Sequence, residues 1–262
     1  MSRRPIQRIE LLVLMVVASA FTQAHGCQSD EPLRPSVTAV AMLLEHEDGA
    51  VVADLWLWSP PIGVQPAVGV SDASGLRVST PSDPLATLLP LKTGHYRGEL
   101  PGDYAPDAPV VFAFALDEEV AERHALQSGA FSLTLPAPGE QPDVWWGEPP
   151  SEGMRLDWSP SSLRALVQVL DDAGAVVWTN FDVAAAEFGL ATWHGLGSAG
   201  STLIGVQLDP GTAVRLCAVD VARAAYGAAH AQPLHDGGHT SSGLSAASGV
   251  IVGRCVTTIV PG

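Results

Sequence analysis

From residue 37 to residue 135 apolar side chains come in short runs or alternate with polar ones, and turn residues interrupt them at intervals of about 8 to 15. A period of two marks a strand with one buried face, whereas an amphipathic helix would repeat its apolar residues at i, i+3 and i+4. The pattern predicts strands over 37–44, 50–58, 67–71, 76–80, 95–100, 110–116 and 130–135, and one short helix over 117–126. Glu47-Asp48-Gly49 and Ala73-Ser74-Gly75 fall between strand pairs, where a glycine supplies the positive φ of a tight turn. Trp56 and Trp58 share one face of their strand and are expected in the core. Periodicity is lost over Pro136-Ala137-Pro138-Gly139-Glu140-Gln141-Pro142, and strands then recur over 154–160, 166–170, 175–179, 202–208, 216–219 and 250–260. The expected architecture is all-β: two tandem antiparallel β-sandwiches, 36–137 and 151–262, joined by a linker at 138–150.

The first residues follow a different pattern. Arg3, Arg4 and Arg8 precede an apolar run over 11–21 that is too short to cross a hydrocarbon core of about 30 Å but fits the apolar stretch of a cleaved secretory signal. Ala24-His25-Gly26-Cys27 resembles the lipobox of bacterial lipoproteins, in which a small residue precedes the cysteine that is diacylated and becomes N-terminal. Here Ala24 stands where that family usually has Leu. The resemblance implies a signal peptide at 1–26, lipidation at Cys27 and a polar tether at 27–35. Ala24-x-Gly26 and Ala18-x-Ala20 also suit ordinary signal peptidase. Arg3-Arg4-Pro5-Ile6-Gln7-Arg8 is similar to a twin-arginine export signal. Either route leads out of the cytoplasm, and the lipobox implies a cell-envelope, outer-membrane lipoprotein.

Charge narrows the class of partner. The chain holds 28 acidic and 13 basic residues, a net charge of −15, and loss of 1–26 removes three arginines and one glutamate, leaving −17. So acidic a surface excludes nucleic-acid backbones and electrostatic docking on anionic lipid. Contact with a membrane is expected through the lipid anchor only. With Cys27 lipidated, Cys217 and Cys255 remain as an even pair in an oxidising compartment, where a disulfide persists.

Gly94-His95-Tyr96-Arg97-Gly98-Glu99-Leu100-Pro101, followed by the strand at 110, resembles the Gly-x-Tyr-x-x-x-Leu-Pro stretch of bacterial immunoglobulin-like domains. Met154-Arg155-Leu156-Asp157-Trp158-Ser159-Pro160 resembles the second strand of fibronectin type III domains, whose tryptophan sits in the core. Leu208-Asp209-Pro210-Gly211-Thr212-Ala213-Val214-Arg215-Leu216-Cys217-Ala218-Val219 resembles that family's entry into its penultimate strand, with Val214 in place of the usual tyrosine. These likenesses imply an immunoglobulin-like first domain and a fibronectin type III-like second one. They also make the last two strands neighbours, with Cys217 facing Cys255 and a loop over 222–249 stapled at its base.

No catalytic constellation stands out. Gly195-Leu196-Gly197-Ser198-Ala199-Gly200 fits a dinucleotide fingerprint in letters only, because a strand-like stretch follows it where phosphate binding needs a helix. His230, His235, Asp236 and His239 in the 222–249 loop are candidate ligands for a metal ion, or solvated loop residues. Trp145 and Trp146 are candidates for stacking on a sugar ring, or, lying beside the linker, for packing between the two domains. The expected function is therefore non-catalytic: an envelope lipoprotein that binds or displays, with an envelope or extracellular protein or glycan as partner and no cofactor. The alternatives are an envelope enzyme or metal-binding accessory protein using the histidine loop, and a carbohydrate-binding module using the tryptophan pair.

Overall fold

The computed structural model describes residues 37–59, 68–80, 82–148, 153–181, 196–197, 200–223 and 248–262. Among these the chain forms β1 (Thr38–Glu45), β2 (Val51–Ser59), β3 (Val68–Gly69), β4 (Ser74–Ser79), β5 (Pro84–Thr87), β6 (Leu89–Lys92), β7 (His95–Glu99) and β8 (Val110–Leu116). A helix, α1 (Glu118–Arg123), is followed by β9 (Gly129–Leu135), β10 (Asp143–Trp146), β11 (Met154–Ser159), β12 (Arg164–Leu170) and β13 (Val176–Thr179). β14 (Ser201–Ile204), β15 (Ala213–Arg223) and β16 (Gly249–Ile259) complete the order. The expected leader and tether, with Cys27, lie outside the described residues, as do loop residues 224–247.

The described residues are all-β, as their alternation predicts, apart from one helix. Asp117 caps α1 by accepting from the Val120 amide at 2.9 Å, and Glu118 and Glu119 in the first turn oppose its positive end. Three strands are absent from the expected map, and β14 ends four residues short of its expected 202–208. β5 and β6 carry prolines and mostly exposed side chains, so no alternation announces them, and β10 forms inside the stretch expected as linker.

A nine-stranded sheet runs in the order β13-β12-β15-β16-β1-β2-β7-β6, with β3 beside β2. Its seam is the parallel pairing of β1 with β16, Val40 opposite Gly249 through Glu45 opposite Arg254. Strands from both halves of the chain thus share one sheet. β1 and the start of β16 are nearly uninterrupted apolar runs, the composition of strands covered on both faces. Arg254 reinforces the seam by donating from Nε to Glu45 Oε2 at 2.7 Å.

One face of this sheet carries two apolar cores. Ala39, Ala41 and Leu43 of β1, Val51, Ala53, Leu55 and Leu57 of β2, and Val250 and Val252 of β16 pack under the four-stranded sheet β5-β4-β8-β9. Further along the same face, Val214, Leu216 and Ala218 of β15 and Val167 and Val169 of β12 pack under the three-stranded sheet β10-β11-β14, around the fully buried Trp158. The opposite face is different. Trp56 on β2 meets Phe181, just past β13, edge to face at 6.5 Å between ring centroids, although β1, β16, β15 and β12 lie between these strands in the sheet. Such a meeting requires the sheet to curl, which its right-handed twist permits, so this face becomes the inside of a trough.

Candidate functional site

The trough is lined by alternate residues of the same strands that build the cores. Met42 and Leu44 of β1, Trp56 of β2, Leu166 of β12 and Phe181 give it an apolar floor. Asn180 positions Phe181: its side chain accepts from the Val167 amide at 2.8 Å and donates to the Ala165 carbonyl at 3.0 Å, extending the β12 edge where β13 ends. Around the floor stand His46, Asp54, Lys92, His95, Arg97, Gln168, Thr179 and Arg215, and the cavity between them measures about 520 Å³.

Asp54 is the structural anchor of this wall. It occupies a strand position whose neighbours are apolar, and only 1 % of it is exposed. An ionised carboxylate there must have its lone pairs satisfied. β7 supplies the partners, because its register sets Arg97 opposite Asp54 and His95 opposite Trp56. Arg97 donates from Nε to Oδ1 at 2.8 Å and from Nη2 to Oδ2 at 3.1 Å, the two-pronged geometry that a guanidinium makes with a carboxylate. His95 Nε2 lies 2.6 Å from Oδ1. The imidazole stacks on Trp56 with centroids 4.5 Å apart and planes 15° from parallel, and its buried Nδ1 has no hydrogen-bond partner among the described residues. A carboxylate at Nε2 favours the proton on that nitrogen and leaves Nδ1 as an acceptor.

The approach of β7 to β2 depends on Gly94. Its φ is +71°, and an added Cβ would stand 2.7 Å from the Leu57 carbonyl oxygen and the Gly69 Cα. Glycine alone meets both demands, so the Gly94 carbonyl can accept from the Leu57 amide at 2.8 Å and His95 enters the wall at the level of Trp56.

Arg97 is neutralised by Asp54, but two other cations of the trough are not so paired. Among the described residues neither Lys92 nor Arg215 has a carboxylate within ion-pair distance, and Arg215 has only a long contact to Gln168 Oε1 at 3.5 Å. Burial pulls the Arg215 guanidinium below its usual value, against the opposing pull of Asp48 and Glu47 at the rim. His46 is likewise lowered, first by burial and then by the charge of Arg215, with smaller effects from Asp48, Arg97 and Asp54. Asp48 and Glu47 are each held by a backbone amide, of Ala50 at 2.9 Å and of Thr257 at 2.7 Å.

Of the residues singled out from sequence, Cys217 and Cys255 are joined by a disulfide between directly opposed positions of β15 and β16, and both face the trough. Trp145 and Trp146 are not brought onto one face. Successive residues of a strand point to opposite sides, so Trp145 is 49 % exposed while Trp146 packs against the second core and donates from Nε1 to the Ile259 carbonyl at 2.8 Å. His230, His235, Asp236 and His239 lie outside the described residues. Among the described residues no group of three or more His, Cys, Asp or Glu side chains could hold a metal ion. In the glycine-rich stretch, Gly197 bridges to Ala165 and strand β14 follows Gly200. Sequence reasoning passed over Asp54, His95, Arg97 and Arg215, although Asp54 carried a signal: a lone carboxylate within a strand otherwise apolar on both faces.

Comparison with protein-family models, with curated proteins and with solved structures finds no match to this chain.

Proposed function

We propose that the protein is an exported cell-envelope lipoprotein that acts by binding rather than by catalysis, with the trough of the curled sheet as its binding site. The two cores correspond in this reading to an immunoglobulin-like and a fibronectin type III-like sandwich, fused through the β1/β16 seam. The observation that carries it is the trough itself: a cavity of about 520 Å³ walled by the buried Asp54 carboxylate, which Arg97 engages with both prongs, and floored by apolar side chains. That size and this mixture of an apolar floor with a few fixed polar groups are typical of small-molecule sites. A rigid wall favours binding, because little ordering entropy is lost when a ligand enters. The basic and apolar leader ending in Cys27 supports export and anchoring.

Mass spectrometry of organic extracts tests the binding claim. Protein isolated from its own envelope should carry a small molecule that Trp56→Ala protein, folded by circular dichroism, has lost; clean extracts from wild type would overturn the reading. The anchor is tested separately by metabolic labelling, where wild-type protein takes up fatty acid and Cys27→Ser protein does not.

A further inference from the structure

We infer that the trough accepts an amphiphilic organic anion, its single carboxylate-type head held by Arg215 and its apolar body laid along Met42, Trp56 and Phe181. The inference rests on the binding role proposed above and names the class of ligand. It begins with how few cations the chain has. Of 13 lysines and arginines, three line this one cavity, including Lys92, the only lysine. In a protein of net charge −15 that is a local reversal of sign.

The carboxylate in the wall cannot serve an incoming cation, since Arg97 and His95 already occupy the Asp54 oxygens. Nor can the accessible face of Trp56 on the His95 side take one, because the imidazole covers it. What remains open is a half-buried guanidinium, Arg215, which among the described residues makes one long contact, to the Gln168 amide. A guanidinium that has lost part of its hydration and gained no counter-ion binds a carboxylate more strongly than a fully solvated one does. The number of charges on the ligand is bounded from the other side. Glu47 and Asp48 stand at the Arg215 end, and the surface as a whole is acidic, so a polyanion would be repelled where a monoanion is held. The floor requires an apolar body, because a small inorganic anion would leave Met42, Leu44 and the two rings facing trapped water.

The test compares three probes of one chain length on the purified protein, by isothermal titration below their micellar concentrations: decanoate, its methyl ester and decyltrimethylammonium. Decanoate is expected to bind about tenfold to a hundredfold more tightly than either of the others, the range that one charge-assisted hydrogen-bonded contact provides. Arg215→Met should bring decanoate down to the level of the ester, Arg215→Lys should retain most of the difference, and Arg77→Met, on another sheet, should change nothing. Equal binding of decanoate and ester, decanoate binding indifferent to Arg215→Met in a protein with unaltered melting, or no binding of decanoate would each overturn the inference. A neutral molecule in the envelope extracts would overturn it too while leaving the binding role intact.

Discussion

The two faces of β2 carry opposite kinds of chemistry on one strand. Val51, Ala53, Leu55 and Leu57 point into a dry core, where each is at most 5 % exposed and none needs a hydrogen bond. Val52, Asp54 and Trp56 point into the trough, where a carboxylate, an imidazole and a guanidinium are locked together beside open space. The dry face holds the sheet by apolar area and close packing, which tolerate no gap. The trough face holds specific polar atoms at fixed positions, and the buried Asp54 carboxylate is kept there by the partners that Arg97 and His95 supply. A binding surface needs the second kind of face, and the first kind keeps it rigid.

The contrast is broken most severely from the dry side. Leu55→Ala removes a fully buried side chain beneath the four-stranded sheet and should cost about 2 to 5 kcal/mol in urea denaturation, with decanoate affinity of the folded fraction unchanged. Next in size is the trough's own staple. Replacing Cys217 and Cys255 together by alanine opens a cross-link spanning 38 residues and should lower stability by about 2 to 4 kcal/mol, seen as a drop in Tm that reduction of the wild type reproduces. If reduction leaves the wild-type Tm unchanged, β15 and β16 are held by the ladder alone.

Asp54→Asn sharpens the comparison. The amide is nearly the same size, so packing is preserved, yet Arg97 loses its ion pair and His95 its charged acceptor. Because Arg97 is 46 % exposed and can turn to water, the expected loss is about 1 to 3 kcal/mol, smaller than for a wholly buried pair. A cost below that for an exposed Asp83→Asn control would mean that the network contributes nothing to the wall. The smallest effect concerns pH. His46 has a folded value below that of the unfolded chain, so the unfolded state takes up its proton first as the solution is acidified. Stability from this group is fully present above about pH 6.5 and declines as pH falls below it toward the folded value. His46→Gln should therefore flatten the fall in Tm between neutral and mildly acidic pH. Some slope should remain, because burial lowers His124 in the same direction.

Strands with clean alternation were legible almost residue for residue. β8 spans 110–116 as its pattern predicts, and α1 sits within the expected helical stretch behind its Asp117 cap. β6 was not legible, because an edge strand with Pro90 and exposed side chains has no buried face to impose a period. β10 was hidden by the prolines and glycines around it. The facing of Cys217 and Cys255 followed from a likeness to known strand order rather than from the period itself. The candidate site was scarcely legible at all: Asp54 stood out only as an exception within an apolar run, and nothing near it in the chain points to His95 or Arg97, 41 and 43 residues away.

The sequence by itself determined the all-β character, the turns and which residues of each strand share a face, because these depend on interactions between near neighbours and on a fixed period of two. Tertiary structure alone decided that β1 pairs in parallel with β16, which makes one sheet of strands from both ends of the described chain. It also decided that the sheet curls until β2 meets the residue beyond β13. Parallel pairing leaves no turn signal to read, and curl is the accumulated twist of many strands, so neither is written in any local stretch. The trough and its charges exist only as a consequence of both.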